Sequence, residues 1–132
     1  MSTLITDAER NADADRAASV ISHLSLHTAT TGVTGAAEAA GGAPAYARMP
    51  VTFNAAGTVG PLGAVLQPAT VGTAWSSEVI FDVAAGAYTN WGGWSALVAG
   101  IFRRGNVLSM SQVPTAQAQI RLSIGVGPYS GV

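Results

Sequence analysis

Apolar and polar residues alternate in short runs along most of the chain, and this pattern predicts strands. The most strongly apolar run is Ser77–Val83, where bulky residues occur at both odd and even positions, so we expect this strand to be buried on both faces. Seven or eight runs of this kind recur at intervals of about 8–12 residues, with Gly, Pro, Asn and Thr between them. Such spacing is typical of an antiparallel β-sandwich or barrel.

The other predicted strands also have faces that the pattern can assign. In Ile21–His27, Leu24 and Leu26 share a face that we expect to be buried, and the opposite face, His23, Ser25 and His27, is expected to be wet. In Ala45–Phe53, Pro50 indicates an edge strand or a bulge, because proline cannot donate to a ladder. The remaining predicted strands are Ala64–Leu66, Tyr88–Ala99, Val107–Met110 and Ala118–Val126, the last with Ile120, Leu122 and Ile124 on one face and Arg121 and Ser123 on the other.

One helix is predicted, near the start of the sequence. Thr6-Asp7-Ala8-Glu9 has the form of a capping box, in which the threonine side chain accepts from the Glu9 amide and the glutamate reaches back. We therefore predict a helix from Asp7 to Val20 or Ser22, with a thin apolar stripe of small residues. Thr28–Gly42 is predicted to be a long flexible loop with Glu38 as its only charge, and Gly100–Asn106 a charged turn.

These elements predict an all-β fold class: an antiparallel β-sandwich or barrel-like domain with one short N-terminal helix. The chain has 132 residues, a length that fits one domain. We expect residues 1–22 to form an N-terminal arm and helix, residues 23–126 the β domain, and residues 127–132 a C-terminal tail.

Composition changes this picture mainly through its low charge. Only 10% of the residues are charged, against about 25% in ordinary soluble domains. Such a surface is either covered in part by neighbouring subunits or is that of a Ser/Thr/Gly-rich soluble β domain. The net charge of −1 gives no argument for nucleic acid or an anionic membrane, and the absence of cysteine excludes disulfides. We expect no targeting signal and no membrane span, since no apolar window is long enough.

No arrangement of residues predicts catalytic, cofactor or metal chemistry. His23 and His27 lie about 13 Å apart on a strand, too far for one metal ion, and we expect both to be surface residues. Glu78 and Asp82 are too widely spaced for a retaining glycosidase pair, which needs about 5–5.5 Å, and are expected to pair with Arg48, Arg103 or Arg121. No serine lies in a G-x-S-x-G elbow.

Aromatic and basic residues supply the candidates for a binding surface. Trp75, Trp91 and Trp94 are predicted to belong to the core or to an interface, with a sugar-stacking platform as the alternative. The adjacent pair Arg103 and Arg104 can contact phosphate, although a solvated turn is the simpler interpretation. Tyr129 lies in the C-terminal tail, which can reach a neighbouring subunit. The interface candidates are Trp75, Trp91, Trp94, Arg103, Arg104 and Tyr129.

A series of short motifs, taken in order over residues 20–125, resembles a family of small tailed-phage virion proteins. These proteins are described as tail-fibre-like or head-decoration-like and occur in phages of actinobacteria and other high-GC hosts. Here Ser76-Ser77 stands where the family has Gly-Thr, and Asn106 where it has an aspartate. The matching motifs are Gly41-Gly42, Tyr46-Ala47-Arg48, Val51-Thr52-Phe53, Pro68-Ala69-Thr70 with Trp75, Ile80–Gly86, Trp91-Gly92 and Gly105-Asn106-Val107-Leu108.

The resemblance implies a non-enzymatic virion protein, namely a capsid decoration or minor capsid protein on the head exterior that stabilises capsomer contacts. Its implied partners are the major capsid protein and copies of itself, in a trimer or higher symmetric oligomer, with no nucleic acid and no membrane. The implied location is the virion, after synthesis in the host cytoplasm. The alternative is a tail fibre or tail-tip adhesion module that contacts tail proteins and host-surface glycan, and exposed aromatic residues would support it. A hydrolase is a third hypothesis, which activity on host cell-wall polysaccharide would test.

Overall fold

The computed structural model describes residues 5–127, which form antiparallel strands and one helix. The strands make three sheets, a four-stranded sheet in the order β2-β1-β5-β6 and the two pairs β3-β8 and β4-β7. No sheet within residues 5–127 closes into a barrel. The elements are α1 (Asp7–Ser19), β1 (His23–His27), β2 (Met49–Pro50), β3 (Ala74–Trp75), β4 (Val79–Val83), β5 (Tyr88–Trp94), β6 (Phe102–Gln112), β7 (Ala118–Leu122) and β8 (Gly125–Val126).

The chain forms two compact units, and each is assembled from separate segments. The helix unit contains α1, β3 and β8 and comprises residues 5–20, 52–78 and 123–127 of the described chain. The sheet unit contains the other six strands and comprises residues 21–51 and 79–122.

In the helix unit, α1 begins where the capping sequence predicts. The Thr6 hydroxyl accepts a hydrogen bond from the Glu9 amide at 3.1 Å, and the helix ends at Ser19, close to the predicted end. Its buried residues are alanines, so the helix contributes little apolar area. It is held instead by polar bonds to loops: Asn11 Oδ1 accepts from the Gly72 amide and Asp15 Oδ1 accepts from the Ala56 amide, both at 2.8 Å.

Ser76 and Gln67 hold the β-structure of the helix unit together. Ser76 exchanges backbone and side-chain hydrogen bonds with Ile124, and its carbonyl accepts from Gln67 Nε2 at 2.8 Å. Both polar side chains are buried, and their bonds replace the ladder that a longer strand would supply. The predicted strand Ala64–Leu66 is wrong, because these residues form turns in which Val65 is 96% exposed.

In the sheet unit, β1 and β5 form the centre of the four-stranded sheet. The register places Leu26 opposite Trp91 and His23 opposite Trp94. Pro50 lies on the edge strand β2, as predicted. β2 itself is much shorter than the predicted strand Ala45–Phe53, although Phe53 makes an isolated bridge within the helix unit.

The strand β4 pairs only with β7 in the sheet unit. Its alternate residues Val79, Phe81 and Val83 are buried, whereas the two between them are half-buried, so burial on both faces is only partly realised. On the partner strand, Ile120 is buried and Arg121 is exposed, which confirms the predicted faces there. The predicted strand Ala118–Val126 is divided into β7 and β8.

The strand β6 corrects the prediction for the arginine pair. Arg103-Arg104-Gly105-Asn106 belongs to this strand rather than to a turn, and Arg104 lies opposite Gly93 of β5. The connection between the strands is Ser95–Ile101, closed by a bond from the Ser95 amide to the Ile101 carbonyl at 3.0 Å. Local sequence favoured a turn at the arginines, but pairing with β5 overrides that preference.

Candidate functional site

The structure separates the predicted interface residues. Trp91 and Trp94 are each 8% exposed and lie on β5. Arg103 is exposed and Arg104 half-buried on the neighbouring strand β6, and burial lowers the pKa of Arg104. Trp75 is half-buried in the helix unit, where its indole nitrogen donates to the Pro68 carbonyl at 2.8 Å. Tyr129 lies outside the described residues.

Two of the three residues on the face of β1 that was expected to be wet are buried, and the third, His23, is half-buried. Ser25 and His27 are both 0% exposed, so the expectation that His27 is a surface residue is wrong. The alternation of apolar and polar residues was misleading because these two polar side chains are hydrogen-bonded to each other and can therefore be buried. Their hydrogen bonds form a continuous chain from Trp94 to the loop carbonyl of Ala36.

The direction of this chain follows from the groups at its ends. Trp94 Nε1 donates to Ser25 Oγ at 2.9 Å, and His27 Nδ1 lies 2.7 Å from the Ala36 carbonyl, which can only accept. His27 therefore carries its proton on Nδ1, and its Nε2 accepts from the Ser25 hydroxyl at 2.6 Å. Burial lowers the pKa of His27, which keeps the ring neutral and suited to this pattern.

A serine 2.6 Å from a histidine nitrogen has the spacing of a nucleophile and its base. Two features favour a structural role here. Neither side chain reaches the surface, and a Cβ at Gly92 would lie 2.6 Å from Ser25 Oγ and 2.7 Å from His27 Nε2. The backbone of β5 is therefore pressed against the pair, and an acyl group has no room beside the hydroxyl.

The second polar cluster of the sheet unit is centred on Arg48. Its Nε and Nη2 donate to the two carboxylate oxygens of Glu38, each at 2.9 Å. Its Nη1 donates to the carbonyls of Ala96 and Ala99 at 3.1 Å and 2.7 Å. A bidentate arginine of this kind fixes both the loop that carries Glu38 and the connection after β5.

Tyr46 and Trp94 complete this cluster. The Tyr46 hydroxyl donates to Glu38 at 2.9 Å and accepts from the Leu26 amide at 3.1 Å, which ties the cluster to β1. Burial alone would raise the pKa of Glu38, but hydrogen bonds from Arg48 and Tyr46 outweigh it and lower that pKa. Burial raises the pKa of Tyr46, so the phenol stays protonated. We call Glu38, Tyr46, Arg48 and Trp94 the Arg48 cluster.

An open pocket of about 370 Å³ lies against the Arg48 cluster. Polar residues of the cluster form one side, and aliphatic residues of the β5–β6 connection form the other. The lining residues are Glu38, Tyr46, Ala47, Arg48, Leu97, Val98 and Ala99. Its volume is at the lower end of the range for small-molecule sites, about 300–1,000 Å³.

Sequence reasoning did not find the Arg48 cluster. It treated Glu38 as an isolated loop charge and assigned Arg48 to Glu78 or Asp82. The weak signal was that the only acidic residue of a long polar loop precedes an arginine by ten positions. The loop itself folds back on β1 through backbone hydrogen bonds between Thr28 and Ala37 and between Ala39 and Leu26. It is therefore not the long flexible loop that was predicted.

Comparison of the chain with protein-family models, with curated proteins and with solved structures finds no match. Within residues 5–127, no group of three or more His, Cys, Asp or Glu side chains is placed to hold a metal ion. The one helix of that part of the chain is not long and apolar enough to cross a membrane.

Proposed function

We propose that this chain is a non-enzymatic structural protein of a tailed-phage particle, a capsid decoration or minor capsid protein that binds the head exterior. It stabilises contacts between capsomers by binding the major capsid protein and copies of itself. The order of motifs over residues 20–125 supports the phage family. The distribution of polar and apolar side chains supports binding without turnover.

The observation that carries the proposal is that the Ser25–His27 pair and Arg48 make their hydrogen bonds inside the protein, whereas many aliphatic side chains are exposed to solvent. Ser25 and His27 are buried and paired, and Arg48 makes four hydrogen bonds to protein acceptors. In residues 5–127 no buried side-chain nitrogen or oxygen lacks a partner. By contrast, thirteen large hydrophobic residues of that described part are exposed, Val33, Val65 and Val98 among the most exposed of them. Such a surface fits an assembly subunit.

We also propose that the four-stranded sheet and the β4–β7 pair of the sheet unit pack as a β-sandwich. The supporting contact is between Tyr46 and Phe81 of β4, whose rings stack with centroids 6.1 Å apart. Phe81 is fully buried, as expected for a residue between two layers.

The tail-adhesion alternative gains no support from the tryptophans. A sugar-stacking platform needs exposed aromatic faces, whereas Trp91 and Trp94 are 8% exposed. Arg48 also covers the Trp94 ring from one side, with its Cζ 3.5 Å from the ring centroid. The half-buried Trp75 is the one tryptophan of the described chain with a larger accessible area.

The test is cryo-electron microscopy of intact particles of the phage that encodes this chain. The proposal expects density for the sheet unit on the capsid surface, repeated at equivalent symmetry positions. Density restricted to the tail tip or collar would favour the adhesion alternative, and absence of the chain from purified particles would overturn both. The purified chain is also assayed for cleavage of host cell-wall polysaccharide, where turnover would contradict a non-enzymatic role.

A further inference from the structure

We propose that residues 28–37, which we call the strap, are an acid-sensitive cover over the Ser25–His27 pair of the four-stranded sheet. Protonation of His27 by solvent opens the strap and exposes the histidine ring, while the sheet beneath it stays folded. The inference concerns the sheet unit alone and does not depend on the phage particle proposed above.

The strap lies on the face of the sheet that carries His27. The Ala36 carbonyl accepts from His27 Nδ1 at 2.7 Å. A Cβ added at Gly35 would lie 2.5–2.8 Å from ring atoms of Trp94 and Phe102, so the strap backbone is in direct contact with both rings. His27 is 0% exposed, and the strap separates its Nδ1 from solvent.

The strap itself is weakly held. Within it only Thr31 and Gly35 are buried, and Val33 is 93% exposed. Its base is closed by a backbone hydrogen bond from the Thr28 amide to the Ala37 carbonyl at 3.0 Å. Ala37 has a φ of 61°, a left-handed conformation that is unfavourable for a residue with a side chain. A segment with so little buried area and a strained residue opens more readily than the strands beneath it.

Both ends of the strap are anchored by bonds that do not involve the His27 ring. At one end, β1 is paired with β5 along its whole length. At the other end, Glu38 accepts two hydrogen bonds from Arg48 at 2.9 Å, and the Ala39 amide donates to the Leu26 carbonyl at 2.9 Å. The strap can therefore open between His27 and Glu38 without breaking the sheet.

The closed strap has no place for a second proton on His27. Nδ1 donates to Ala36, and Nε2 accepts from the Ser25 hydroxyl. Protonation makes Nε2 a donor, so Ser25 Oγ would accept from both Nε2 and Trp94, and its own hydrogen would lose its acceptor. A buried charge and an unpaired buried hydroxyl are both unfavourable, and opening the strap admits water to the charged ring.

Burial has the largest effect on the pKa of His27 and lowers it. The hydrogen bond to Ala36 and the charge of Glu38 raise that pKa, whereas the charge of Arg48 lowers it, and these two charged groups are paired with each other. β5 and β6 place Gly92 and Phe102 against the ring, and neither of these ionises. Removing the cover therefore has more effect on the ring than any neighbouring charge.

The size of the response follows from linkage between the proton and the strap. With the strap open, His27 should have a pKa near the ordinary 6.5. The ratio of open to closed molecules should then rise by up to about tenfold for each pH unit below 6.5, until the closed form also takes up the proton. Glu38, whose pKa is lowered, stays ionised between about pH 7.5 and 5, so its pair with Arg48 persists.

The experiment is amide hydrogen exchange followed by NMR between about pH 7.5 and 5, expressed as protection factors to remove the intrinsic effect of pH. The amides of Thr28, Gly35 and Ala36 should be less protected than the β1–β5 ladder throughout. Their protection should fall by up to about tenfold for each pH unit below 6.5. His27→Gln should abolish this fall, and His23→Gln, at a half-buried position of the same strand, should retain it.

Three outcomes of this experiment would overturn the proposal. The first is strap protection that does not change with pH, and the second is equal protection of strap and ladder at the acid end of the series, which would mean that the sheet opens with the strap. The third is an unchanged pH response in His27→Gln.

A second pair of variants tests the coupling without replacing the histidine. Gly35→Ala places a methyl group against Trp94 and Phe102 and should open the strap at neutral pH, with the β1–β5 ladder still protected. Gly32→Ala is the matched control, because its φ is also positive but nothing lies within 4 Å of the new Cβ.

An NMR titration of the His27 ring is the measurement for both glycine variants. The pKa of His27 should return to near 6.5 in Gly35→Ala and stay lowered in Gly32→Ala, since strap and proton affect each other reciprocally. An equally lowered pKa in both variants would overturn the proposal. A Gly35→Ala variant whose ladder also loses protection would overturn the claim that the strap opens alone.

Discussion

The guanidinium carbon of Arg48 lies 3.5 Å from the centre of the Trp94 ring, while the indole nitrogen of Trp94 donates to Ser25. Trp94 is therefore the residue that connects the Arg48 cluster with the buried Ser25–His27 pair. A cation over an indole face contributes up to about 2 kcal/mol when it is desolvated. This connection makes the polar interior of the sheet unit one network, and mutations in it should be coupled.

Arg48→Lys is expected to destabilise the protein by about 2–3 kcal/mol, because lysine cannot make the bidentate pair or bind two carbonyls at once. The substitution would leave hydrogen-bond acceptors without their donors, namely the partly buried carboxylate of Glu38 and the carbonyls of Ala96 and Ala99. Urea unfolding followed by tryptophan fluorescence measures the change. Arg103→Lys, on an exposed position of β6, is the control and should stay within about 0.5 kcal/mol. Equal effects of the two substitutions would contradict the role assigned to Arg48.

Stability should fall as the pH drops below 6.5, the ordinary pKa of histidine. The pKa of His27 is lowered in the folded protein by burial, so the unfolded chain takes up a proton first. The stabilising contribution is thus complete above pH 6.5 and is lost as the pH falls towards the folded pKa. The lowered pKa of Glu38 has the same sign and adds a further loss below its ordinary value of 4.5.

The measurement is the free energy of unfolding at a series of pH values between about 7.5 and 5, for wild type and His27→Gln. The variant should be less stable at neutral pH and should depend less on pH in this window. An NMR titration of the His27 ring in the wild type is an independent check that does not need the variant to fold. A ring that takes up its proton at or above pH 6.5 would exclude this source of pH dependence.

Gly92→Ala should cost about 1–3 kcal/mol, since the new methyl group would overlap Ser25 Oγ and His27 Nε2 in a close-packed region. The matched control is Gly86→Ala, where the nearest atom to a new Cβ is 3.6 Å away. This control should be neutral or slightly stabilising, because alanine restricts the unfolded chain. Thermal unfolding of the two variants side by side distinguishes packing from a general effect of losing glycine.

Ser76→Ala tests the helix unit. The substitution removes the acceptor of the buried Ile124 amide, and an unsatisfied buried amide costs about 1–3 kcal/mol. Ser109→Ala, on an exposed position of β6, is the control and should change stability by less than about 0.5 kcal/mol. Hydrogen exchange at the Ile124 amide should accelerate in the first variant, and unchanged exchange would show that another group replaces the hydroxyl.

Elements specified by neighbouring residues could be predicted from the sequence, and elements specified by distant pairing could not. The helix start depends on Thr6 and Glu9, three residues apart, and was confirmed. The length of β6 depends on β5, and its arginines look like a turn when considered alone. Similarly, alternation in β1 predicted a wet face, but Ser25 and His27 are buried because each satisfies the other.

The same limit applies to the candidate site. The hydrogen-bond partners of Arg48 are Glu38, which precedes it in the sequence, and two carbonyls of the β5–β6 connection, which follow it by about fifty residues. Hydrophobic periodicity carries no information about such pairs, because it reports faces of an element and not the ends of long side chains. The aliphatic character of Ala96–Ile101 was visible, yet Ala96–Ala99 was interpreted as the end of the strand Tyr88–Ala99, and Gly100 and Ile101 as the start of a charged turn.

The division of both units into separate segments has a consequence for the order in which the chain can fold during synthesis. β3 is complete at Trp75, but its partner β8 ends at Val126, so about fifty residues must be translated before the two can pair. Because β8 must also leave the ribosome before it can pair, α1 and β3 emerge long before the helix unit can close. A single proteolytic cut within residues 79–122 therefore divides the helix unit between two polypeptides, although the cut lies outside that unit.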